Sequence, residues 1–420
     1  MRIAIVDYSG HAFPIQLSRA LAGKGHDVLH LHFSEFQSPH GRLEKHADDS
    51  TNLTVQPVSL GRPFPKYSLF KRRFEEIKIG KAFAATISAF GPDIVVACNC
   101  PLDCALQIGK SALKSNQRFV FWQQDIYSVA IRKILGRRFG GIGQAIGAYY
   151  NYMEKRIISM SHATIVISPD FLEAIEEQFA LSTGNVHVIE NWAPLGEIPV
   201  CAKSNPWSSR HGLADKKVIL YSGTIGLKHD PQQILDLAQS LRHEPDTKIV
   251  VISEGPFADW LSDHAKAAGL DNIMVLPFQP SADFPNVLGT ADVAIALLES
   301  DAGTYSVPSK VLSYLCAGRP IVLSAPCENL AARIVTQSNA GVIVAAGSRT
   351  DFVAAVSALI GDAAQRATAG SNARAYAERM FDIEQTACRF ETIFKTLPTP
   401  SAPLTRIQQP VPSRIEPNPS

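Results

Sequence analysis

The feature that most constrains this chain is a series of short, continuous apolar runs separated by amphipathic stretches. In the first half these are Ile3–Val6, Val28–Phe33, Ile94–Cys98, Phe119–Trp122 and Thr164–Ile167. Runs of four to six apolar residues suit strands buried on both faces, as in parallel sheets. Between them lie helical patterns such as Pro14–Lys24, with Ile15, Leu17, Ala20 and Leu21 spaced for one face. Strand and helix alternating in this way predict a doubly wound α/β domain. The pattern breaks at residues 190–206, which are Pro-rich and aperiodic. It restarts with Val218–Tyr221, Ile249–Ile252, Ile273–Leu276, Val293–Leu298, Ile321–Leu323 and Val342–Val344. The fold class expected is therefore α/β, with two Rossmann-like domains and a cleft between them. The expected divisions are 1–195, a linker at 196–210, a second domain at 211–378, a returning helix at 379–397 and a disordered Pro/Ser tail at 398–420.

Composition excludes several classes. With 40 Lys+Arg against 39 Asp+Glu the formal charge is +1, which argues against a dedicated nucleic-acid binder. Hydrophobic content of 46% is too high for a mainly disordered chain. No apolar run reaches the roughly 18 residues of a membrane helix. The opening MRIAIVDYSG reads as a buried strand rather than a signal peptide. Seven scattered cysteines favour a reducing compartment, so the expectation is a cytoplasmic protein.

Four loops follow predicted strands, where ligands bind in this class. Tyr8-Ser9-Gly10-His11 lies before a helix and lacks the dinucleotide fingerprint. Tyr221–Pro231 holds Gly223, Thr224, Gly226 and Lys228 ahead of a helix start, a plausible phosphate cradle. Ser253-Glu254-Gly255-Pro256 offers a carboxylate either to a sugar or to the next helix. Glu299–Ser313 places Ser309 and Lys310 at a helix N-terminus, where a cation opposes the macrodipole unless an anion lies nearby.

In this order SGTIGLKHDP, SEGP, ADVAIALLES and SVPSKVLSYLCAGRPIV resemble the donor domain of retaining glycosyltransferases with the GT-B fold, family four. SGHAFPIQLSRALAGKGHDV, EKRIISMSHATIVISPDF and VIENWAP resemble segments of that family's acceptor domain, and the likeness spans about residues 1–395. The resemblance implies transfer of a sugar from a nucleoside-diphosphate sugar to a saccharide or lipid-linked saccharide with retention, as in bacterial surface polysaccharide synthesis. It implies that Gly10 faces the donor diphosphate, Lys228 binds it, Glu254 and Gly255 lie near the donor, and Phe278 lies near the base. No Asp-x-Asp and no ligand cluster near these loops suits an obligatory metal, so neither a metal nor a cofactor is expected.

The chain departs from the family at three places. The usual arginine of the phosphate loop is Thr224, and the usual glutamate pair falls on Tyr305 and Ser313. Lys310 is the expected replacement cation and Glu299 the expected replacement carboxylate. Asp125, in WQQDIY, is either an acceptor-orienting or proton-transfer group or a helix cap, and His11 either touches the sugar or only its neighbours. The alternatives to transfer are a sugar-nucleotide 2-epimerase of the same fold and a non-catalytic partner subunit.

GGIGQAIG at 140–147 follows a basic helix rather than a strand, so a nucleotide role is disfavoured. Cys98, Cys100 and Cys104 lack companion ligands and read as small buried residues rather than a metal site. Charge is locally uneven. Residues 110–156 carry nine Lys/Arg against two acids, net +7, and residues 62–81 carry seven Lys/Arg against Glu75 and Glu76. These are either solvated helix faces or a surface for anionic lipid on the inner face of the membrane; nucleic acid is not expected.

Overall fold

The computed structural model describes residues 1–399 except 37–40, 66–67, 227–228 and 301–306. In the first domain strands β1 (Arg2–Asp7), β2 (Asp27–Phe33), β3 (Leu53–Val58), β4 (Ile94–Cys98), β5 (Arg118–Gln123), β6 (Ala163–Val166) and β7 (Val186–Val188) form one sheet. Their order is β3-β2-β1-β4-β5-β6-β7, with every pairing parallel. Its helices are α1 (Ala12–Gly23), α2 (Leu69–Phe90), α3 (Leu102–Lys114), α4 (Tyr127–Met160) and α5 (Asp170–Phe179).

After α6 (Pro206–Arg210) the second sheet is built from β8 (Lys217–Ser222), β9 (Thr247–Ile252), β10 (Ile273–Leu276), β11 (Val293–Leu297), β12 (Ile321–Ser324) and β13 (Gly341–Val344). Its order is β10-β9-β8-β11-β12-β13, again all parallel. Helices α7 (Gln232–Ser240), α8 (Pro256–Ala267), α9 (Phe284–Thr290), α10 (Ser309–Cys316), α11 (Leu330–Ser338) and α12 (Arg349–Gly361) accompany it. Helices α13 (Ala363–Met380) and α14 (Ile383–Thr396) follow. The molecule thus has two Rossmann-like domains, as the alternating pattern predicts.

Every apolar run named from the sequence lies on a strand or overruns one by a single residue; the runs of the central strands are buried on both faces, whereas those of the edge strands β10 and β13 are largely half-buried. Two strands carry no such run. β3 is an edge strand, interrupted by Pro57 and exposed at Thr54, Gln56 and Pro57, and β7 has three half-buried residues. Edge strands need no continuous apolar sequence and tolerate proline.

The crossover between the sheets is packed rather than loose. Trp192 stacks on Trp122 with centroids 5.8 Å apart, and Phe390 of α14 meets Trp122 edge-on at 4.7 Å. A buried indole removes ~200 Å² from water, on the order of 5 kcal/mol relative to exposure. The segment 196–210, expected as a linker, buries Ile198 and Trp207, and Asn205 closes a capping box at the start of α6. Its apolar residues are single anchors, which leave no periodicity. α14 lies against α1, with Lys24 paired to Glu384 at 3.1 Å and His26 to Glu391 at 3.3 Å. The predicted tail falls outside the described residues from position 400 onward.

Candidate functional site

In each sheet strand order reverses at one place, between β1 and β4 in the first and between β8 and β11 in the second. Ligands of open α/β sheets bind beyond the strand ends at such a switch point.

At the second switch point β8 ends in Tyr221-Ser222, and the chain turns through Gly223 at φ 132°. The Tyr221 hydroxyl donates to the Thr224 carbonyl at 3.0 Å and accepts from Lys310 Nζ at 2.7 Å. The Lys310 ammonium also lies 4.2 Å from the Tyr221 ring centroid. A Cβ on Gly223 would stand 3.0 Å from Lys310 Cε, so the missing side chain makes room for the lysine. Lys310 is half-buried, and desolvation brings its ammonium down to about 7. Tyr314, on the same helix, accepts from the Ser222 backbone N–H at 2.9 Å and lies 3.3 Å from the Ile295 carbonyl of β11. Two tyrosines therefore lock α10 across the switch point.

Neighbouring loops are tied to this cluster. Ser253 Oγ accepts from the Ile225 N–H at 3.1 Å, joining the loops after β8 and β9. The Gly226 N–H is taken up by His229 Nδ1 at 3.0 Å. Glu254 is exposed and accepts from the Phe278 N–H at 2.9 Å, so the two expected donor contacts are one linked unit. Gly255, at φ 99°, opens α8. Thr224 is exposed; Glu299 is half-buried just beyond β11; Ser309 is the exposed first residue of α10, and Ser313 sits half-buried one turn later. Lys228 and Tyr305 lie outside the described residues. The structure thus gathers Gly223, Thr224, Glu254, Gly255, Phe278, Glu299, Ser309, Lys310 and Ser313 along the carboxyl edge of the second sheet. Val307, two residues before α10, packs against the apolar cluster of the first domain, which sets this edge facing that domain.

At the first switch point Asp7 ends β1 fully buried. One of its oxygens accepts from Asn99 Nδ2 at 3.0 Å and from the Ser9 N–H at 3.3 Å. The His11 N–H is a further donor to it, and burial raises its carboxyl above the ordinary range. Gly10 is buried at φ 70° and its carbonyl accepts from the Gly41 N–H, while His11 is the N-cap residue of α1. Asp125 is half-buried between β5 and α4. Behind it Glu154 is fully buried and accepts from Gln123 Nε2 at 2.9 Å, the Tyr127 N–H at 3.1 Å and the Ser128 N–H at 2.9 Å. Desolvation raises its carboxyl to about 7 against the pull of these donors. Gly10, His11 and Asp125 belong to the first sheet's edge, apart from the Lys310 cluster in sequence and sheet.

Tyr221, Tyr314, Asp7, Asn99 and Glu154 were not singled out from sequence. A polar residue ending an otherwise apolar strand is the available signal for Asp7, and a hydroxyl-bearing ring one residue before the end of β8 is that for Tyr221. Nothing local marks Glu154, whose partners lie 26–31 positions away. The seven cysteines are free thiols, with Cys98, Cys100 and Cys104 buried. No helix among the described residues is long and apolar enough to cross a membrane.

Two family models match the chain: Glycosyltransferase Family 4 over residues 13–196 and Glycosyl transferases group 1 over residues 204–376. Among curated relatives, "Putative colanic acid biosynthesis glycosyl transferase WcaI" of Escherichia coli (strain K12) is 27% identical over 303 residues, 71% of this chain and 73% of that one. Among solved structures, the sucrose-phosphate synthase of Thermosynechococcus elongatus superposes with a TM-score of 0.69 at 16% identity, covering 94% of this chain and 99% of that one. Anabaena Alr3699/HepE, in complex with UDP and glucose, superposes with a TM-score of 0.69 at 14% identity, covering 94% of this chain and all of that one. At such identities the superpositions speak for the fold, which is the GT-B arrangement.

Proposed function

We propose that this chain, a group 1 glycosyltransferase of the GT-B type, moves a sugar from a nucleoside-diphosphate sugar to a saccharide or lipid-linked saccharide acceptor with retention. The observation that carries the donor side is the Lys310–Tyr221–Gly223 cluster at the second switch point. When the bond between the sugar and the diphosphate breaks, negative charge develops on the leaving phosphate. In this reading Lys310 and the α10 N-terminus stabilise it. Lys228 belongs in sequence to the loop after β8 and is assigned the second cation. With charge neutralised in this way the reading assigns no obligatory metal. The acceptor oxygen bonds to the anomeric carbon on the face the diphosphate leaves, and its proton passes to the departing phosphate oxygen. No strong protein base is then needed. Asp125 orients the acceptor hydroxyl, Glu299 stands in for the family's carboxylate, and closure of the cleft excludes water.

The acceptor side rests on charge and on kinship. The basic stretches 62–81 and 110–156 both fall in the first domain, and the Escherichia coli relative is named for colanic acid biosynthesis. We place the enzyme at the inner face of the membrane in surface polysaccharide synthesis. Thermal-shift screening across UDP-, GDP- and dTDP-sugars tests the donor assignment, since a ligand that binds only the native state raises its melting temperature. Release of nucleoside diphosphate only when a membrane extract is added supports transfer. An epimerase releases none, and a non-catalytic subunit does neither, so either result would replace this reading.

A further inference from the structure

α4 is not a single rod. At Gly140 the backbone swings to φ 54°, ψ −127°, and the chain doubles back on itself. A Cβ on Gly147 would lie 2.8 Å from Arg132 Cα, and one on Gly143 would lie 1.9 Å from the Leu135 carbonyl oxygen. In a straight helix Arg132 and Gly147 would be about 22 Å apart along the axis. The GGIGQAIG motif, a poor nucleotide fingerprint, is thus the hinge and inner seam of a tight helical hairpin, with Arg132 Nε donating to Gln144 Oε1 across it at 2.9 Å.

The hairpin presents an unusual outer face. At its bend Phe139 is 47% exposed and Ile142 is 72% exposed. The returning arm continues the stripe through Ala145, Tyr149 and Tyr152 at helical spacing, all of them exposed. Phe74 of α2, 64% exposed, follows Arg73 in sequence, and Arg73 donates to the Tyr149 hydroxyl at 2.8 Å. Five of the eight large apolar side chains exposed among the described residues therefore fall on this hairpin or beside it. α4 carries six Lys/Arg and one acid, Glu154, which is buried at the far end under β5. Exposed Phe, Ile and Tyr in a positive field with no exposed carboxylate on the helix complement an anionic bilayer surface. Neither arm is long enough to cross one.

We propose that the hairpin is a membrane-docking finger. Phe139 and Ile142 enter the boundary between headgroups and acyl chains of an anionic bilayer, and the Tyr149–Tyr152 stripe lies along the surface. The inference rests on the lipid-side reading of the acceptor and narrows it to one element, leaving most of the basic residues of the 62–81 stretch with a supporting role.

The test uses the full chain and vesicles of phosphatidylcholine with or without phosphatidylglycerol. The wild type should sediment with the anionic vesicles, less so at high salt, and Phe139→Ser/Ile142→Ser should lower the partition about tenfold by losing two apolar anchors. Ile142→Trp should shift its emission to the blue when anionic vesicles are added. The double variant should keep the wild-type melting temperature and its nucleotide-sugar thermal shift, because both side chains are exposed and far from β8 in sequence. Unchanged sedimentation of the double variant overturns the proposal, as does unmoved Ile142→Trp emission. So does a wild-type dimer that the double variant abolishes while neither protein binds vesicles. If no nucleotide sugar shifts the melting of either protein but the vesicle results hold, the donor reading fails and the docking finger stands.

Discussion

The Lys310 ammonium rests 2.7 Å from the Tyr221 hydroxyl and 4.2 Å from the centre of its ring, so a cation from α10 is seated on the penultimate residue of β8. The same hydroxyl holds the Thr224 carbonyl, which couples the position of the cation to the shape of the loop expected to cradle phosphate. Lys310→Ala should weaken nucleotide-sugar binding about 10- to 100-fold, the range for a charged hydrogen bond. Tyr221→Phe keeps the ring and removes the hydroxyl, and should cost a smaller factor. Calorimetric titration of the two variants checks both; wild-type affinity in Lys310→Ala would remove the lysine from the donor site.

Burial brings Lys310 to about 7, so in the free enzyme it loses charge as pH rises through neutrality. Binding of an anion favours the charged form. Affinity for the diphosphate should therefore fall above about pH 7, by at most roughly tenfold per pH unit. Lys310→Arg retains its charge and should flatten the profile. A profile equally flat in the wild type would show that the lysine does not meet the anion.

Gly223 combines a φ of 132° with a would-be Cβ 3.0 Å from Lys310 Cε. Gly223→Ala should cost about 1–2 kcal/mol through the unfavourable backbone and push the lysine aside. The expected signature is a lower melting temperature together with a weaker nucleotide-sugar response. Loss of stability with donor affinity intact would separate the glycine from the site.

Glu154 carries three donors at the start of α4, just behind Asp125. Glu154→Ala leaves those donors unpaired and should destabilise the fold by about 3 kcal/mol. Because the affected loop belongs to the first sheet, turnover should fall with donor affinity preserved. A parallel loss in donor binding would mean that the domains respond as one.

His30 is fully buried in β2, 2.9 Å from Ser18 Oγ, and desolvation holds it at about 3 against an ordinary 6.5. Its folded pKa is depressed, so only the unfolded chain takes up the proton between those values. Stability from this group is complete above about pH 6.5 and declines as pH falls toward 3, by at most ~5 kcal/mol. Glu154, raised to about 7, acts with the opposite sign between 4.5 and 7, so the informative quantity is a difference. Urea midpoints for wild type and His30→Leu, compared across pH, should diverge little in slope above 7. Below 6 the wild type should lose stability faster.

The sequence by itself determined the two-domain α/β architecture, because a strand buried on both faces must be apolar along its whole length. It also pointed to the loops after β8, β9 and β11 and to Lys310 as an out-of-place cation, since positions along one chain define strand ends and helix starts. β3 and β7 escaped because edge strands are under no such burial constraint. The partners of Lys310, the carboxylate of Glu154 and the pairing of Asp7 with Asn99 were decided only by tertiary structure. Each joins residues 26 to 92 positions apart, and no local pattern records which distant group will neutralise a buried charge. The same holds for GGIGQAIG, whose glycines gain their meaning only when Gly140 turns the helix back and brings Gly147 against Arg132. Periodicity reports what a residue is buried in; only the folded chain reports what it is buried against.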